Sequence, residues 1–145
     1  MISVRVCLPL FVVALLHASL GHAQSEVSFD HAAACVTVLK PKAIALANRY
    51  RAGDDAAKTE LVELTEVTYS IVNSAFDAGL RKDELDVLLA SAKEFQGSVP
   101  ISKLYALEQL CLAEGEAIRD KSSPKERKLL LADSTERVNR IRSDK

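Results

Sequence analysis

The chain has 145 residues, 19 basic and 20 acidic side chains, a formal charge of −1 and few aromatics. So near-neutral a balance excludes bulk nucleic-acid binding as the default. The length fits one domain of ordinary size, able to bury a core without metal.

The first element is a leader. Residues 1–5 carry one positive charge, and residues 6–16 form an apolar run too short to span a bilayer. Gly21-His22-Ala23 then places small residues at the −3 and −1 positions before Gln24. Cleavage is expected after Ala23, with Ala18 as a second option and an uncleaved anchor as the alternative. Cys7 lies inside the apolar run, followed by leucine and proline, and is not read as a lipidation site. The expected organisation is a signal peptide over 1–23 and a single helical domain over 24–145. No second apolar run approaches membrane-spanning length, so no membrane contact is expected after cleavage.

The remaining 122 residues carry a net charge of −2, one histidine (His31) and two cysteines. In an oxidising compartment Cys35 and Cys111 have only each other to pair with. Their separation of 76 residues makes a bridge worth about 4.5 kcal/mol on the chain-entropy argument. Two separate buried thiols are the alternative; exported context favours the bridge.

The first helix is expected from an Asp30 cap through Ala34, Cys35, Val38 and Leu39. Pro41 then either kinks it or opens a second segment through Ile44, Ala47 and Tyr50, ending at Gly53. The second helix is the clearest. Asp54 or Asp55 caps it, and Leu61, Leu64, Thr68, Ile71 and Ala75 recur at helical spacing, widened by Val72 and Phe76. Gly79 closes it. The third is short, capped by Asp83, with Leu85, Leu88, Leu89, Ala92 and Phe95 inward and Gly97 after. Pro100 presets the fourth, whose stripe is Ile101, Leu104, Leu107, Cys111 and Ile118, with Leu110 beside it. Ser123-Pro124-Lys125-Glu126 reads as a capping box opening a last helix with Leu129, Leu130, Val138 and Ile141. The expected fold is all-α: a compact bundle of four to five helices, with one disulfide joining the first and fourth.

The catalytic inventory is thin. A Ser-His-Asp or Cys-His system needs a histidine, and His31, four positions before Cys35, is the only one after the leader. An oxidised Cys35 cannot attack, so the pair reads as a first-turn histidine beside a structural bridge. No Cys-x-x-Cys, His-x-x-x-His, Glu-x-x-His, calcium loop or phosphate-cradling glycine pattern is present, so no metal or cofactor is expected. Glu60, Glu63 and Glu66 form an acidic stripe that reads as solvated helix surface, without a pocket to make a glycosidase pair. Residues 54–94 carry ten acids against four bases, while residues 119–145 carry nine bases against five acids. That asymmetry fits the last helix lying across the acidic pair, with steering of a protein partner as the alternative.

Export, a stapled helical scaffold and this poor inventory point to a surface as the product. The candidate loops are 78–82, 96–100 and 120–124, with Gln96, Gly97, Ser98 and Val99 as the partner-binding residues, because loops enter clefts while helices hold them rigid. In format, with its leader over 1–23 and small helical body held by a disulfide, the chain resembles periplasmic immunity proteins directed at peptidoglycan-cutting effectors of type VI secretion. The resemblance covers the whole chain loosely and rests on no motif, so no family residue carries over. It implies a periplasmic inhibitor whose protein partner is a cognate effector hydrolase, a cell-wall amidase; a homodimer stays open. The alternative is a periplasmic small-ligand carrier or sensor without catalysis, which the scarcity of aromatics weakens.

Overall fold

The computed structural model describes residues 28–143, which form five helices: α1 (Phe29–Arg51), α2 (Ala56–Asp77), α3 (Lys82–Gln96), α4 (Ile101–Lys121) and α5 (Pro124–Ser143). No strand occurs among the described residues. The expected leader, its expected cleavage point and Cys7 lie outside them. No helix of the described residues is long and apolar enough to cross a membrane.

Local chemistry sets most of the ends. Gly53 and Gly79 adopt φ of 102° and 107°, a region that costs other residues a steric penalty. After each, the chain closes a Schellman motif: Asp54 N–H donates to the Arg49 carbonyl and Leu80 N–H to the Ala75 carbonyl. Leu80 is buried and supplies the apolar contact such a motif favours. Asp54, rather than Asp55, caps α2, its carboxylate accepting from the N–H groups of Ala56 and Ala57 at 3.1 and 3.3 Å. At α5, Ser123 N–H donates to Glu126 at 2.7 Å and Glu126 N–H to the Ser123 hydroxyl at 3.3 Å, the expected box.

Other starts differ from expectation. Ser28 precedes α1, and Asp30 falls inside its first turn. At α3 the Glu84 carboxylate reaches back to the Arg81 N–H at 2.9 Å, while Asp83 pairs with the Arg81 guanidinium instead of capping. Pro41 neither breaks α1 nor divides it. The proline faces solvent, and buried residues anchor the helix on both sides, Cys35, Val38 and Leu39 before it and Leu46, Ala47 and Tyr50 after.

Helices α1 and α2 form the centre; α4 and α5 pack on both, and α3 rests on α1. His31 meets Glu114, Cys35 meets Cys111 and Lys42 meets Glu108, so α1 and α4 run antiparallel. Arg142 reaches Asp55 and Arg137 lies over Tyr69, so α5 runs antiparallel to α2. Leu39, Leu64, Ile71, Val138 and the two cysteines are central to the core. Gly115, in mid-α4, lets that backbone approach α2. A Cβ there would lie 2.5 Å from Val67 Cγ1 and 2.7 Å from the Val67 carbonyl oxygen. The disulfide joins α1 to α4, as expected.

Candidate functional site

The corner between α3 and α4 is built by its own backbone. The Phe95 carbonyl accepts from the Ser98 N–H at 3.0 Å and the Ser98 hydroxyl at 2.7 Å, and the Gln96 carbonyl accepts from the Val99 N–H. Gly97 keeps a right-handed φ of −63°, so it is a tight-turn residue and not the left-handed stop that its position after a helix implies. Pro100, without an N–H, precedes α4, and its carbonyl accepts from Lys103 and Leu104.

This corner separates the four candidate residues into two pairs. Gln96 and Val99 are half-buried and line a crevice of about 30 Å³ with Val38 of α1 and Leu107 of α4. Gly97 and Ser98 are exposed. Around them, apolar side chains stand in solvent: Phe95 is 68% exposed, Ile101 85% and Tyr105 63%. Phe95 and Ile101 are expected inward on their helical stripes, but α3 has no fully buried residue, and residues 101–103 at the start of α4 are exposed. Periodicity identifies their face and not whether another helix covers it. The other two loops are more constrained. Leu80 pins 78–82 to the core, and 120–124 is closed by the Ser123–Glu126 box.

A second cluster lies at the staple. His31 Nε2 is 2.6 Å from a Glu114 carboxylate oxygen and 3.5 Å from Cys35 Sγ. Both cysteines are fully buried, whereas His31 and Glu114 are part-exposed above them. With the sulfurs joined, neither is a nucleophile or a metal ligand. Glu114 is the member that the sequence reading misses. Cys111 and Glu114 are three apart on α4, as His31 and Cys35 are four apart on α1, and pairing the cysteines brings both couples to one spot.

The acidic stripe divides. Glu60 lies 3.8 Å from Arg49. Glu63 is exposed, whereas burial pushes the Glu66 carboxyl above its ordinary range, partly offset by Arg119. Part of the charge asymmetry is used within the molecule: Arg142 pairs with Asp55 at 2.8 Å and lies 5.0 Å from the centre of the Tyr50 ring. A solvent-open groove of about 440 Å³ runs between the start of α1 and α3, lined by Phe29, Leu80, Val87 and Leu88 with Asp30, Asp83 and Glu84 at its rim. Comparisons with protein-family models, curated proteins and solved structures find no match.

Proposed function

We propose that this chain is an exported helical binding protein that acts in the periplasm as an immunity-type inhibitor. Its partner on this reading is a cell-wall-degrading effector, a peptidoglycan amidase. The observation that carries the binding role is the α3–α4 corner: the turn from Gln96 to Val99, flanked by exposed Phe95, Ile101 and Tyr105. Large apolar side chains held in solvent on rigid helices are the anchors that protein interfaces concentrate. A projecting turn with an apolar surround suits a concave cleft, and the helices behind it lower the ordering cost of docking.

Protection of living cells tests this. Cells receiving the amidase in the periplasm should survive when the whole chain is supplied, and die when residues 24–145 are supplied without the leader. Ser98→Arg should weaken protection while leaving the helical melt unchanged. Equal protection with and without the leader would refute the periplasmic site of action. The groove beside Phe29 favours a second reading, a small-ligand carrier, because its size falls within the range of ligand pockets. An apolar fluorophore displaced from that groove by a periplasmic metabolite would support that reading instead.

A further inference from the structure

We infer that the dithiol form of this chain binds one zinc-type divalent cation between α1 and α4. The donors are His31 Nε2, Cys35 Sγ, Cys111 Sγ and a Glu114 carboxylate oxygen. In the disulfide form the histidine nitrogen and both sulfurs already lie within 4.8 Å of one another. Glu114 stands 2.6 Å from the same histidine nitrogen. Each helix supplies two donors at a spacing of three or four, which puts both on one face.

The distances suit a tetrahedral ion. Zn–N near 2.0–2.1 Å and Zn–S near 2.3 Å require an N···S separation of about 3.5 Å. His31 Nε2 and Cys35 Sγ are 3.5 Å apart. Glu114 stands outside that 4.8 Å group, so its side chain must swing toward the sulfurs as its contact with His31 opens from 2.6 Å to the about 3.4 Å of adjacent zinc ligands. Once the bond is cut, the sulfurs need to stand about 3.8 Å apart. The Cα atoms of Cys35 and Cys111, at 5.4 Å, leave room for that by side-chain rotation. Two thiolates with an imidazole and one carboxylate select zinc over magnesium or calcium, which prefer all-oxygen shells. The buried sulfurs form the floor, and part-exposed His31 and Glu114 form the entrance.

Formation of the site starts with two-electron reduction of the bridge. A dithiol supplies the electrons and two protons and leaves as its own disulfide; a phosphine does the same with one water and leaves as the phosphine oxide. The entering cation then displaces both thiol protons to solvent, giving a site of net charge −1. Bridge and ion join the same two helices, so the α1–α4 staple exists in both redox states.

The test uses the purified protein, stripped of metal, with and without phosphine, titrated with Co²⁺ and then Zn²⁺. The dithiol form should take up one equivalent of cobalt, with tetrahedral d–d bands and a thiolate charge-transfer band that zinc abolishes; the disulfide form should show neither. Cys111→Ser should remove the charge-transfer pattern of two thiolates. His31→Ala and Glu114→Ala should each weaken binding at least about tenfold, the loss that even an outer-shell partner causes. Circular dichroism runs alongside, because an unfolded dithiol chain should refold as the ion binds. The inference is overturned by a dithiol form that binds no metal, by one that stays unfolded in excess zinc, by uptake indifferent to both His31→Ala and Glu114→Ala, or by equal uptake in the disulfide form.

Discussion

Asp54 carries two roles at once. It caps α2 and pairs with Arg49 at 2.7 Å, and the Arg49 guanidinium, helped by the Ala57 and Ala56 N–H groups, holds its carboxyl below the ordinary range. The Arg81 guanidinium holds Asp83 low in the same way, and hydrogen bonds from the Ser123 side chain and N–H hold Glu126 low. A carboxyl with a depressed folded-state pKa contributes stability above its unfolded value, near about 4, and that stability is lost as pH falls through the folded value. Glu66 runs the other way, its carboxylate disfavoured by burial. With three groups against one, the melting temperature should fall as pH drops below about 4. Asp54→Asn keeps a cap but not the charge, so it should flatten that acid slope. An unchanged slope in a pH series of melts would remove Asp54 from this account. Ser134 is the opposite kind of residue: fully buried, its hydroxyl has no hydrogen-bond partner among the described residues. Ser134→Ala removes an unsatisfied group and improves helix propensity, so it should stabilise by about 1 kcal/mol in urea unfolding. A loss of stability would mean the hydroxyl has a partner in solution.

Among the elements, α4 depends most on one residue without a side chain. Alanine in a helix is favoured over glycine by about 1 kcal/mol. Gly115→Ala, however, presses a methyl group against the Val67 carbonyl, which cannot move cheaply. Overpacking of this kind costs about 1–3 kcal/mol, so denaturant midpoints should drop despite the propensity gain. A higher midpoint would contradict the close approach of α2 and α4. The sequence made the second helix legible because its stripe and its stop agree: Leu61, Leu64, Ile71 and Ala75 are buried, and Gly79 has the left-handed φ of a C-terminal stop. The serine-proline start of α5 was legible for the same reason, chemistry confined to four neighbouring residues. Pro41 was not. Whether a proline ends a helix depends on what anchors both halves, and those contacts are made by residues distant in sequence. Gly115 was equally opaque, since the neighbour that demands it belongs to another helix.

For the molecule as a whole, the all-α architecture and the staple between its first and fourth helices followed from periodicity and from the one pair of cysteines beyond the expected leader. The candidate site was only partly legible. The sequence marks 96–100 as a connection, but the exposure of Phe95, Ile101 and Tyr105 depends on which helices cover which faces, with α3 resting on α1 and the first residues of α4 exposed. On the proposed function, those residues form the working surface of an inhibitor that performs no turnover. Titrating a fixed amount of the purified partner amidase with this protein tests that claim most directly. Activity should fall linearly to a sharp endpoint at a fixed ratio of the two proteins. The endpoint should blur when Phe95 and Tyr105 are both changed to Ala, and stay sharp in His31→Ala. Inhibition unchanged by the double substitution, or catalytic consumption of a cell-wall substrate by this protein that His31→Ala abolishes, would contradict it.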